Sequence, residues 1–225
     1  LPVCRDMEDF FAGESEFHGA GGELRVEEPR VHWEILDAWR EAAAECGIPK
    51  IEEFNRGDNF GNAYFHMNQK GGRRWSATNA WLRPARGRPN LTVRTRAHAS
   101  RLDIETKDGR HRATGLQYRV EGQGEARARA RKAVVLATGA IGSPQLLQLS
   151  GVGPGALLAA HGIAVRHELP GVGENLHDHL QIRTVYKVHG TKTLNTRAGS
   201  LLGKAAMGLE YVLFRTGPLT MPPSQ

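Results

Sequence analysis

The chain has 225 residues, 40% of them hydrophobic and 24% charged, with a formal net charge of +6. Those values describe a water-soluble globular protein, long enough for one large domain or two small ones. No run of about 18 apolar residues occurs, which excludes a membrane-spanning helix. Two cysteines, Cys4 and Cys46, are too few for a disulfide framework or a cysteine metal cluster.

The first ten residues, "LPVCRDMEDF", lack a basic start followed by an apolar stretch, so no signal peptide is expected. The expected location is the cytoplasm, free or attached to a membrane surface. The chain opens on Leu1 and not on Met, and its natural start is expected upstream. From Val31 to Gly47, Trp33, Leu36, Trp39, Ala43 and Cys46 recur at spacings of three and four between charged residues. That period predicts an amphipathic helix with Cys46 as a small core residue, stopped by Gly47 and Pro49. The following stretch, 54–75, is rich in Gly and Asn and reads as irregular loop, with Asp58 and Asn59 as turn formers. Ser76 is placed to cap a helix start, and Trp75, Ser76 and Asn79 are candidates to border a substrate channel.

From Pro89 the texture changes to short alternating strands, "NLTVRTRA" and "SRLDIE", then a turn at Asp108-Gly109 and a further strand, "ATGLQYRV". The next predicted strand, "ARARARKAVVLAT", passes from alternating to continuously apolar at Ala133, the pattern of a strand covered on both faces. Ser143 and Pro144 predict an N-cap and first residue for a short helix, and "PGALLAAHG" a second one ended by Gly162. A strand in "IAVRHELPGVG" and a helix over "SLLGKAAMGLEYVLF" follow, the helix with Leu202, Ala206, Leu209 and Leu213 on its apolar face. The order of elements predicts an α/β protein.

A basic chain invites a nucleic-acid reading. Here the basic residues are mostly arginines that are scattered or alternate with alanine, as in "EARARARKA", which is the solvent face of a strand. No nucleic-acid partner is expected. The pair His177 and His179 lacks a third ligand, and "GDNFGN" lacks the terminal Glu of a calcium loop, so no metal is expected.

The chemistry-bearing stretch is "VVLATGAIGSPQLL". A buried strand that ends in Gly139, followed within a few residues by a helix, directs free N–H groups and a positive dipole end at one place. That is a seat for a phosphate or the edge of a flavin. A plain strand-to-helix connection explains the same glycines, and spacing alone leaves both readings standing. The stretch is neither G-x-G-x-x-G nor a Walker loop.

Taken together, "ATGAIGSPQLLQLSGVGP", "HGIAV" and "LPGVGENLHDHL" resemble, in order and spacing, the glucose-methanol-choline (GMC) oxidoreductase family. Gly139 through Gly153 meets the pattern of its second signature. The likeness extends upstream through "GGRRWSATNAWLRPARGRPNLTVRT" and "EFHGAGGELRV", and downstream to "EYVLFRTGPLTMPPSQ". It is nearest to the choline dehydrogenase and alcohol dehydrogenase branch. The resemblance implies FAD as cofactor, a small-molecule alcohol as substrate, and hydride transfer from the alcohol carbon to flavin N5.

It also implies that two parts of the family pattern are absent: the G-x-G-x-x-G segment and the catalytic histidine near the carboxyl terminus. No residue here is therefore assigned as catalytic, His18, His177 and His179 falling in other motifs, and the chain reads as an internal fragment. The competing reading is a non-catalytic remnant or binding module. By the resemblance, residues 1–88 belong to the substrate domain and its cover, 89–178 to the FAD-binding domain, and 179–225 to the start of the substrate-binding domain. Val93 matches a position whose backbone meets the adenine edge, and it is expected to be packed as well. Ala137, Thr138 and Gly139 match the strand end that approaches the dinucleotide, with Ser143 at the helix start beside it. Asn175 matches a loop near the flavin, where a cofactor contact and a structural turn both stand. An FAD-binding segment without its first βαβ unit is expected to expose apolar edges.

Overall fold

The computed structural model describes residues 1–182 and 184–221. The chain divides into two compact units, one formed by Leu1–Thr92 with the chain from Val185 onward, the other by Val93–Thr184.

The first unit opens with helix α1 (Pro2–Met7) and strand β1 (Glu8–Phe10), which runs parallel to β2 (Leu24–Val26) in the register Glu8–Leu24 and Phe10–Val26. The connecting loop returns directly against α1. A Cβ on Gly19 would overlap the Arg5 carbonyl, and one on Gly22 would overlap the Met7 backbone, so only glycine fits at either place. Helix α2 (Glu34–Glu45) forms where the 3.6-residue period predicts it. Its burial is narrower than predicted. Trp33 and Ala43 are buried, whereas Trp39 is 56% exposed and Cys46 lies at the surface, a correction to its expected place in the core.

Beyond α2 the irregular stretch is held by side chains. Asn62, buried, donates to the carbonyls of Ile48 and Pro49 and accepts from Arg40 Nε at 3.1 Å. Asp58 accepts the Phe60 N–H at 2.9 Å, the turn-forming role expected of it. Strands β3 (Gln69–Lys70) and β4 (Arg73–Arg74) make a tight hairpin. The helix after it begins as a wide π-type turn (Thr78–Leu82) and continues as α3 (Arg83–Ala85). Its cap is Ala77 and not Ser76.

The second unit is built on an antiparallel meander of β5 (Ala97–Lys107), β6 (Arg110–Val120) and β7 (Gly124–Arg129). Asp108 and Gly109 both take positive φ, 51° and 71°, as a two-residue hairpin turn requires. The arginines of β7 point to solvent, Arg127 pairing with Asp103 at 3.4 Å. Two predicted strands are corrected here. "NLTVRTRA" is irregular until Ala97, and the arginine strand stops at Arg129. Residues 133–138 pair with nothing among the described residues, and Val135 is 86% exposed. An apolar run becomes a two-faced strand only when neighbours take its backbone groups and cover its side chains.

After that run come α4 (Gly139–Leu149), β8 (Val152–Gly153), α5 (Gly155–Ala160) and β9 (His167–Glu168), with β8 and β9 parallel. The interior of this unit centres on Leu102, Leu146, Leu158 and the fully buried Ser150.

The chain then returns to the first unit. Helix α6 (Leu194–Ala198) is closed by a capping box at Thr193 and Thr196. Helix α7 (Leu201–Phe214) is capped by Ser200, whose Oγ accepts the Gly203 N–H at 2.9 Å. Met207 is its buried residue, and the predicted apolar face is open instead of packed, with Leu202 84% and Leu213 61% exposed.

Candidate cofactor-binding site

All six residues singled out from sequence fall in the second unit, and four of them lie at the start of α4. The helix begins five residues earlier than Ser143 and Pro144 predict. Its N-cap is Thr138, and Ser143 sits inside the helix, half-buried. Gly139 makes the earlier start possible. It turns the chain at φ +86°, a conformation that a side chain disfavours, and the helix runs from there. Pro144 is the sixth residue of α4, so the helix forgoes the hydrogen bond that an N–H there would give the Ala140 carbonyl.

The Thr138 hydroxyl does not cap the helix. It is bonded to Ser143 Oγ at 3.0 Å, laid over the first turn. Gly142 leaves room for this, since a Cβ there would stand 3.2 Å from Thr138 Cβ. The consequence is a helix start with no side-chain oxygen on its first N–H groups. Where a Cβ would stand on Gly139, no heavy atom lies within 4 Å. Ala137, Thr138, Gly139 and Ala140 are all exposed. The arrangement is a cradle of backbone donors with an open glycine face, which fits an approaching phosphate or dinucleotide edge.

The other end of α4 is fixed. Ser150 Oγ donates to the Leu146 carbonyl at 2.6 Å and accepts the Leu102 N–H at 2.8 Å, tying the helix to β5. Gln148 Nε2 donates to the Val172 carbonyl at 3.0 Å, and a Cβ on Gly173 would fall 2.8 Å from that amide. These anchors, which the sequence did not reveal, hold the 171–175 loop to the helix. A Gln four residues after Pro144 and a Ser two further on carry no such signal without the fold.

Asn175 takes φ +57° and is exposed, a backbone conformation that suits a turn and leaves its side chain open to a ligand. Val93 is 44% exposed, which corrects its expected packing in the core. Its backbone makes no hydrogen bond among the described residues. Thr138 and Ser143 are thus brought together directly, whereas no hydrogen bond joins Val93 or Asn175 to them. Trp75 and Asn79, proposed as channel-border residues, are engaged locally: Trp75 Nε1 donates to the Glu23 carbonyl at 2.7 Å and Asn79 Nδ2 to the Arg74 carbonyl at 3.0 Å. Among the described residues no group of three His, Cys, Asp or Glu side chains is placed to hold a metal ion, and no helix is long and apolar enough to cross a membrane.

Residues 1–181 match the sequence pattern of the family described as GMC oxidoreductase. The oxygen-dependent choline dehydrogenase of Photobacterium profundum is 37% identical over 220 residues, covering 96% of this chain and 38% of that protein. Among solved structures, pyridoxine 4-oxidase from Mesorbium loti is 36% identical with a TM-score of 0.67, over 76% of this chain and 33% of that one. An FAD-dependent oxidoreductase from Chaetomium thermophilum superposes with a TM-score of 0.82 at 25% identity, over 98% of this chain and 40% of that one. The chain spans well under half the length of each of these relatives.

Proposed function

The chain belongs to the GMC oxidoreductase family, and from that premise we propose that it is part of an FAD-dependent enzyme that oxidises an alcohol to an aldehyde or ketone. The observation that carries the reading is the uncapped start of α4 with its open glycine at Gly139. Bound flavin would supply the redox step by accepting a hydride from the alcohol carbon. The residues of this chain would do the holding. Ala137, Thr138 and Gly139 would let the dinucleotide approach the backbone closely, and the first N–H groups of α4 would face its negative charge. The free backbone of Val93 would serve an adenine edge. Asn175 would turn the loop that Gln148 secures.

The likeness to choline dehydrogenases makes choline the first substrate to try. Because relatives are more than twice as long, flavin retention and turnover are expected from a chimera in which this chain replaces the matching segment of the Photobacterium enzyme. The chain alone, desalted after excess FAD, should be colourless. The chimera should carry close to stoichiometric flavin and oxidise choline, and Gly139→Val in it should lose the flavin. A folded chimera without flavin, or full flavin retention with Gly139→Val, overturns the proposal. Flavin held without turnover of any alcohol would favour the binding-module reading.

A further inference from the structure

The first unit contains a buried charged cluster that the cofactor reading does not use. His18 is 5% exposed, and both its ring nitrogens face carboxylates: Nδ1 lies 2.9 Å from Glu8 Oε2 and Nε2 lies 2.8 Å from Glu53 Oε1. Phe10 stacks on the ring with centroids 3.8 Å apart, closing one face to water. Glu8 belongs to β1, His18 to the loop returning from it, and Glu53 to the stretch after α2, so one imidazole joins three segments.

A neutral imidazole has a single N–H and cannot donate to two carboxylates. With the second nitrogen unprotonated, a lone pair would face a carboxylate oxygen within 3 Å in a site shielded from solvent. With both carboxylates ionised, the geometry requires the imidazolium. The other charged groups around it do not replace that charge. Arg56 Nε is 3.9 Å from Glu53 and more than half exposed, and His66 Nδ1 stands 3.6 Å from the second Glu53 oxygen. The Gly19 N–H also donates to Glu8 Oε2, at 3.1 Å.

We propose that Glu8, His18 and Glu53 form a proton-dependent latch that holds the loop from Ser15 to Gly22 against β1 and releases it in alkaline solution. The loop's other hydrogen bonds carry no imidazole charge: the Ser15 hydroxyl accepts the N–H groups of Phe17 and His18, and the Ser15 N–H donates to the His18 carbonyl at 3.0 Å. Phe10 donates to the Gly19 carbonyl at 2.9 Å, the Gly21 N–H donates to Asp9 Oδ1 at 3.2 Å, and Gly22 donates to the Glu8 carbonyl at 3.0 Å. Burial by itself lowers the affinity of His18 for its proton, but the hydrogen bonds to Glu53 and Glu8, and their charges, outweigh it and raise the pKa above 6.5. A group whose folded value is raised contributes stability that is complete below about 6.5 and is lost as pH rises through the folded value.

The test is made on the 225-residue chain without flavin, so its outcome is independent of the cofactor reading. Histidine ring carbons are followed by NMR across neutral to alkaline pH, with hydrogen exchange at Gly19 and Gly22 corrected for intrinsic rates. His18 is expected to stay charged through the ordinary imidazole range. The opening constant of the two amides should rise by nearly tenfold per pH unit above about 6.5 and level off once His18 has titrated. Glu53→Gln should bring the His18 titration down and narrow the window of rising exchange. Titration of His18 at or below the ordinary range overturns the latch, as does exchange that ignores the titration. The wild-type measurement decides the matter even if the variant does not fold.

Discussion

Replacing Ser150 with alanine is the sharpest perturbation of the second unit. Ser150 is fully buried, and its hydroxyl serves two backbone groups at once, accepting from the Leu102 N–H at 2.8 Å and donating to the Leu146 carbonyl at 2.6 Å. Among the described residues β5 pairs in the sheet with β6 alone, so the donors on its other side need partners from elsewhere. Leu102, itself 5% exposed, has Ser150. Alanine matches serine in volume apart from the oxygen, so no cavity large enough to matter forms, and the cost is that of a buried N–H left without an acceptor. That cost is about 1–3 kcal/mol. The assay is native-state hydrogen exchange over β5 and β6, in which the Leu102 amide should lose protection by a larger factor than its neighbours. Ser143→Ala is the control. Its hydroxyl is half-buried and bonded to another hydroxyl, and the change should stay within about 0.5 kcal/mol. A Ser150→Ala effect as small as the control would refute the assignment of Ser150 as the joint between α4 and β5.

Gly115 sits in the middle strand of the meander, where a Cβ would overlap the Ala128 carbonyl. Gly115→Ala should part β6 from β7 and lower the urea midpoint of the unit, by about 1–3 kcal/mol in free energy. Gly109→Ala keeps the turn but places a side chain at φ 71°, and should cost about 1 kcal/mol by the same measurement. In the first unit, burial and then the 2.7 Å hydrogen bond to Asp37 push the Tyr64 phenol up to about 12. Its folded value is raised, so its contribution is complete below the ordinary phenol value of about 10 and is lost as pH rises toward 12. Phenolate absorbance should show this late titration, and Tyr64→Phe should remove both the signal and that part of the alkaline loss.

What the sequence discloses of this structure follows the range of the interaction that decides it. The Asp108-Gly109 turn depends on two residues' own backbone preferences, and it is where the dipeptide puts it. Helix α2 depends on a period, so its existence is legible. Which of its apolar residues are covered depends on distant chain, and of the two tryptophans on the predicted face Trp33 is buried and Trp39 is not. The latch around His18 spans 35 positions to Glu53, and nothing local marks it.

The stretch around Gly139 combines both cases. The Ser-Pro pair is a strong local start signal, and it loses to a glycine four residues earlier whose positive φ lets the helix begin sooner. Immediately before it, residues 133–138 have the composition of a central parallel strand but no partner among the described residues, because strand character resides in neighbours and not in the run itself. The exposed Val135 and the open Gly139 are therefore two sides of one feature. The same chain reversal that leaves the first N–H groups of α4 uncapped leaves the preceding apolar residues for a neighbouring strand to cover. A chimera that supplies that strand should bury Val135 and hold flavin together, and Val135→Asp in it should weaken both.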